Sequence, residues 1–418
     1  MSQRKRLSSA RHFCPLLKLS PDAFSEIASW LYVDEVVNWR KCSKHVNSIT
    51  KEKAYWKTIH FRGRKLRVPQ LPHIMSAYTT HLAPRFDTTR EFLNCLKSLA
   101  KCVNLIVLDL SRCTLCSSGF LLLVDALPNL KRLKKLILDS NYSNSVDESA
   151  LANALSDSHI THLEVMSSNI GLVEPSLADA LPDLKSLTTL DLAFNNIGLF
   201  FCLALAESLP NTQITTLNLG DNSIDTACCS TLAEALPNTC ITDLNLRSNP
   251  IDSAGCAALA AALPNTRITT FNLRGNMIDC LGCSSLAAVL PNTRITTLDL
   301  ARNHIGLAGC SALAKALPNT RITTLDLAWN HIGDTGCSAL AEALPNSCIT
   351  DLNLEFNGVG EAAGISALAG ALPNSCLTTL KMAGNKIGVG GCSTLAGALP
   401  HTHLTTLDLK CNQIGDAG

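Results

Sequence analysis

The sequence predicts an α/β solenoid, with short parallel strands along a concave wall and helices along the convex one, bent into a horseshoe. Three observations predict it. Twelve units begin at Leu105, Leu133, Ile160, Leu187, Ile214, Ile241, Ile268, Ile295, Ile322, Ile349, Leu377 and Leu404, each step being 27 residues save two of 28. A fixed period of this size is what stacked repeats produce. Inside each unit the apolar residues first alternate, as on a strand, and then recur at helical spacing. Nearly every unit then closes on Leu-Pro, a pair that ends a helix.

The copy at 295–321, ITTLDLARNHIGLAGCSALAKALPNTR, shows what each part does. Leu298 and Leu300 alternate and point inward from a short strand, while Thr297, Asp299 and Ala301 point outward. Asn303 is placed to hydrogen-bond backbone groups where the chain leaves the strand and lacks a ladder partner. Gly309 is expected to open the helix, with Cys310, Leu313, Ala314 and Leu317 on one face. Pro318 and Asn319 then turn the chain toward the next strand. Ten of the twelve units carry the asparagine; Cys113 and Ser168 stand in its place in the first and third. One strand and one helix cannot bury their apolar faces alone, so stacked neighbours must supply the core.

This pattern, L-x-x-L-x-L-x-x-N-x-I-G and then an apolar helix, resembles the leucine-rich-repeat family. Its helix-bearing units are similar to the ribonuclease-inhibitor-like subclass. The resemblance covers residues 105–418, about three quarters of the chain. The sequence stops at Gly418, fifteen residues into the twelfth unit and ahead of its helix, so it is expected to run on.

Charge divides the chain. Residues 1–104 hold 19 Lys/Arg against 7 Asp/Glu, and residues 105–418 hold 16 against 27, which makes +12 and −11. A basic head on an acidic body points to two modules with different partners. No run of 18 apolar residues marks a membrane span, and the charged N-terminus has no apolar stretch behind it to make a secretory signal. The 19 cysteines are therefore expected to be thiols in a reducing compartment, which places the chain in the cytoplasm, with a nuclear address in Arg4-Lys5-Arg6 as the alternative.

Within the head, residues 1–18 read as a basic disordered tail and 19–61 as three short helices. Ser20 caps and Pro21 opens the first, which carries Phe24, Ile27, Ala28 and Leu31. Asp34 caps the second, with Val36, Val37 and Cys42; Val46 and Ile49 sit on the third, and Trp56 closes the module. This segment resembles an F-box at Leu19, Pro21, Ile27, Leu31, Asp34, Val36, Val37, Arg40, Cys42 and Trp56. It departs from the family where a serine separates Leu19 from Pro21 and where His45 replaces an aromatic. The resemblance implies a substrate receptor of Skp–cullin–F-box ubiquitin ligases. Leu19, Pro21, Ile27, Leu31, Val36 and Val37 would then meet a Skp-family adaptor, whose acidic character suits the basic head. Residues 62–104 read as a linker and a helix at 88–101 that caps the first repeat with Phe92, Leu93, Leu96 and Leu99.

The repeats are expected to hold an unknown protein on the strand-lined face. Outward positions differ there between near-copies, at Phe194, Asp221, Arg247, Arg274, Arg302, Trp329, Glu355 and Phe356. Aromatic and arginine side chains carry most interface energy, whereas the recurring threonines, such as Thr297 and Thr324, read as sheet formers. The rival reading is a repeat scaffold, sensor or GTPase regulator without a ligase role; in the last case Arg247, Arg274 or Arg302 would be the activating arginine.

Chemistry is not expected. Cys202, Cys229, Cys256, Cys283, Cys310, Cys337 and Cys392 share one place in the repeat and read as core filling. His304 and His331 read as surface residues, and no zinc spacing, phosphate loop or nucleophile motif occurs, so neither metal nor cofactor is expected. The basic run from Arg62 to Arg67 lacks interleaved aromatics, which argues against nucleic acid.

Overall fold

The computed structural model describes residues 58–60, 81–83, 89–113, 115, 117–141, 148–156, 158–168, 176–360 and 363–415. Leu19, Pro21, Ile27, Leu31, Val36 and Val37, and with them the three expected head helices, lie outside these residues. The chain divides into two compact units, 1–164 and 165–418.

In the first unit, strands β1 (Thr58–His60), β2 (His81–Ala83), β3 (Val107–Asp109), β4 (Lys135–Ile137) and β5 (His162–Glu164) pair in chain order, all parallel. Helices α1 (Thr89–Leu99), α2 (Ser117–Ala126) and α3 (Glu148–Ser156) alternate with them. Two strands therefore precede the first unit read from the sequence. One lies in the segment assigned to the head and the other in the supposed linker. The helix expected at 88–101 is present as α1. It sits between β2 and β3 and packs on α2, burying Cys95, Leu96 and Leu99, so it occupies the place of a repeat helix and the sheet continues past it.

In the second unit one strand and one helix alternate regularly. The strands are β6 (Thr189–Asp191), β7 (Thr216–Asn218), β8 (Asp243–Asn245), β9 (Thr270–Asn272), β10 (Thr297–Asp299), β11 (Thr324–Asp326), β12 (Asp351–Asn353), β13 (Thr379–Lys381) and β14 (Thr406–Asp408). Their helices, after the short α4 (Ser176–Ala180), are α5 (Leu199–Ser208), α6 (Thr226–Ala235), α7 (Ser253–Ala262), α8 (Cys280–Val289), α9 (Gly306–Ala316), α10 (Gly333–Ala343), α11 (Ala363–Ala371) and α12 (Gly388–Ala398). Each helix runs into a single 3-10 turn such as Leu317–Asn319. Equivalent residues stand level, Leu298 beside Phe271 and Leu325, because every unit has nearly the same length. The inward residues Leu298 and Leu300 are fully buried, as are their counterparts from β6 to β13.

Asn303 does the expected work. Its Nδ2 donates to the carbonyls of Leu273 at 2.9 Å and Leu300 at 3.0 Å, and its Oδ1 accepts the Ile278 N–H at 3.1 Å. One buried amide thus ties the bend of its own unit to the unit before.

The helix start differs from the sequence reading. α9 begins at Gly306, whose φ of +59° favours glycine, and Gly309 lies one turn inside. A Cβ on Gly309 would stand 2.8 Å from Ile305 Cγ2 and 3.0 Å from Cys283 Cβ. Glycine is needed there so that neighbouring helices can approach. The cysteine that follows completes the contact, since the thiols of Cys256, Cys283 and Cys310 each lie 3.5 Å from the carbonyl of Gly282, Gly309 and Gly336 in the next unit. Cys256, Cys283, Cys310 and Cys337 are free thiols, and burial pushes those of Cys256, Cys310 and Cys337 up to about 12. No helix among the described residues is long and apolar enough to cross a membrane.

Candidate protein-binding face

The site begins with a backbone constraint. The residue ahead of each repeat asparagine has left-handed φ: 56° at Phe194, 54° at Asp221, 52° at Ser248, 57° at Arg302, 60° at Trp329 and 51° at Phe356, with glycine at 275 and 384. A non-glycine residue in this region is strained. The strain is held by the asparagine behind it and by one more ladder bond. The N–H groups of Arg302, Trp329 and Phe356 donate to the carbonyls of Ala328, Glu355 and Ala383 in the next unit, at 2.7, 2.9 and 2.9 Å. Side chains at this position are therefore projected at fixed intervals, one per unit.

Three of them form a continuous stack. The Arg302 guanidinium carbon lies 5.1 Å from the centroid of the Trp329 ring. The Trp329 and Phe356 rings are 4.1 Å apart and 16° from parallel. Gly384 follows, and a Cβ there would collide with the Phe356 ring, so the glycine makes room for it. Trp329 and Phe356 each remain 39% exposed, too much open aromatic surface for residues that serve only the core.

A second group forms near the start of the same row. Arg247 stands 5.5 Å from the centroid of the Phe194 ring and pairs through Nε with Asp221 Oδ2 at 3.0 Å. Its stem rests on Gly220, where a Cβ would come within 2.8 Å of Arg247 Cγ.

The remaining two expected residues separate from these. Arg274 turns to the strands, with Nη1 3.8 Å from Asp326 Oδ2. Between them Asp299 has its pKa raised to about 6, chiefly by burial and further by the Asp326 charge, with Arg274 acting in the opposite sense. Glu355 is half-buried and spends its backbone on the row, its N–H bonded to Asn353 Oδ1 and its carbonyl to Trp329.

The eight side chains expected on the strand face are thus not on the strands. β11 ends at Asp326 and Trp329 follows three residues later; strands of three residues end before the outward alternation reaches these positions. Ser248, Gly275, Gly384 and Cys411 belong to the same row and were missed, although their shared offset before each asparagine marks them. Among the described residues, no group of three or more His, Cys, Asp or Glu side chains is placed to hold a metal ion.

Comparison with known proteins agrees with the repeat. The family described as "Leucine Rich repeat" matches residues 183–199, 238–260, 292–314, 319–341, 374–396 and 401–418. No curated protein matches the chain. Similar solved structures include an internalin from Listeria monocytogenes, 20% identical, with 70% of this chain and 78% of that one covered and a TM-score of 0.41. Another is a TLR13–ssRNA13 complex, 21% identical, with 76% of this chain and 45% of that one covered and a TM-score of 0.48. At the matched residues the repeated unit is a leucine-rich repeat.

Proposed function

We propose that this leucine-rich-repeat scaffold holds another protein on the Arg302–Trp329–Phe356 stack and presents it to a ubiquitin ligase through the F-box-like segment at 19–61. The stack is the observation that carries the holding role. Its rings and guanidinium are already ordered by one another and by the backbone, so little side-chain freedom is lost when a partner covers them. Aromatic and arginine side chains in such positions are the usual anchors of an interface. The delivery role rests on the sequence of the head, where Leu19, Pro21, Ile27, Leu31, Val36 and Val37 match the adaptor-facing family positions.

Two variants of the full chain test the two roles. Leu19→Ala with Pro21→Ala is expected to abolish binding to a Skp-family adaptor in a pulldown and to leave the held protein in place. Trp329→Ala is expected to release the held protein and to leave the adaptor bound. A parent chain that ignores the adaptor would leave a repeat scaffold without a ligase role.

A further inference from the structure

Each unit carries one residue just ahead of its first inward leucine or isoleucine, at the turn from helix to strand, exposed at most positions and half-buried at Cys240. Along the second unit of the chain this row reads Gln213, Cys240, Arg267, Arg294, Arg321, Cys348, Cys376 and His403. Three consecutive arginines stand together, all exposed. None takes part in an ion pair among the described residues; the nearest polar contact is from Arg267 Nη1 to Cys240 Sγ at 3.9 Å. Arg294 and Arg321 line a depression of about 570 Å³ with Pro264, Pro291, Asn292 and Thr293.

The neighbouring helix ends keep this charge uncancelled. The exposed position six residues before the row is Glu207, Glu234 and Glu342 in the units ending at Gln213, Cys240 and Cys348. In the three units that end on arginine it is Ala261, Ala288 and Lys315. At these two positions acid and arginine never fall in the same unit. A cluster of four positive charges on a body whose balance is −11 is an electrostatic feature in search of an anion.

We propose that Arg267, Arg294 and Arg321 form a docking ridge for an acidic helix of a partner protein. Spacing as well as sign favours a helix. Adjacent parallel strands, and so adjacent arginine stems, are about 4.8 Å apart. A helix bearing one carboxylate per turn repeats every ~5.4 Å, whereas alternate carboxylates on an extended chain are spaced by about 6.7 Å. A helix lying along the row therefore meets three guanidinium groups in register, each able to take a carboxylate by two parallel hydrogen bonds. Nucleic acid fits less well, because the depression is lined by proline, asparagine and threonine and offers no aromatic ring for a base to stack on. The ridge lies before the strands and the Arg302–Trp329–Phe356 stack after them, so this inference stands apart from the function proposed above.

The test uses the full chain and an alanine-based helical peptide with one glutamate per turn, read by fluorescence anisotropy. Binding is expected, and Arg267→Gln, Arg294→Gln and Arg321→Gln together are expected to weaken it about tenfold, the combined size of three exposed ion pairs, with the thermal melt unchanged. Charge reversal adds a second reading: with all three arginines changed to Glu, the chain is expected to lose the glutamate peptide and to bind the matching lysine peptide. Trp329→Ala should leave both results as they are. Equal binding by the parent and the Gln variant would overturn the ridge. Preference of the same three arginines for oligothymidine over the glutamate peptide would overturn the assignment of the partner as a protein.

Discussion

At the scale of single residues, the repeat asparagine and the helix glycine carry more than their size suggests. Asn303 and Asn330 are almost fully buried, and each serves carbonyls of two units. Asn303→Ala leaves those groups buried without partners, which should lower stability by about 2–3 kcal/mol in urea denaturation. Asp299 makes the opposite case, a residue kept at a cost. Its folded pKa of about 6 lies above the ordinary value of about 3.9 for an unfolded aspartate. The folded chain therefore holds the proton longer, and stability falls as pH rises from about 4 to about 6. Asparagine occupies the same place in β7, β8, β9 and β12. Asp299→Asn should then raise the urea midpoint at pH 7.5, the two chains converging near pH 4. A difference between variant and parent that is the same at both pH values would show that the carboxyl is not burdened by burial.

At the scale of the element, what was legible in one copy of the repeat is what one unit decides by itself. The inward leucines of β10, the bend at Asn303 and the stop at Pro318 follow from local pattern and were read correctly. The start of α9 was misread because Gly309 answers to Cys283, a residue 26 positions away whose place is settled only by stacking. β1 and β2 were invisible because their sequences, Thr-Ile-His and His-Leu-Ala, carry no following asparagine pattern. The residues of the aromatic stack were named, but on strands three residues long they could not be assigned to the turn, nor their contacts foreseen. The cysteine layer offers a direct check. Iodoacetamide applied to the native chain at pH 8 should label the exposed Cys348 and Cys376 and spare Cys256, Cys310 and Cys337, whose raised pKa and burial leave almost no accessible thiolate. Labelling of the buried three at the rate of Cys348 would mean that the helices part readily.

At the scale of the molecule, each unit touches chiefly the next, so damage should stay near its origin. Gly309→Ala is the sharpest probe, because the new methyl presses on α8 across a contact with no slack. It should cost about 1–3 kcal/mol despite the gain in helix propensity. Hydrogen exchange should quicken in α8 and α9 while β6 and β7 keep the protection of the parent. Uniform quickening throughout residues 165–418 would instead make the array a single cooperative block. Trp329→Ala, by contrast, removes a half-exposed side chain and should cost a bound protein about 2 kcal/mol by calorimetry while hydrogen exchange in the core is unaltered.

The row that bears Trp329 has one more consequence. Serine, glycine, arginine, tryptophan and phenylalanine all occupy it with nearly the same φ, between 51° and 68° at residues 248, 275, 302, 329 and 356. The backbone shape there is imposed from outside the residue, by the asparagine that follows and the carbonyl that receives the N–H. The position thus resembles a socket, and its occupant can be exchanged without renegotiating the fold wherever the neighbouring side chain leaves room, as Phe356 does not at Gly384. A change of partner needs one substitution at a time, each tested against an unchanged frame, so recognition along this edge can be rewritten letter by letter.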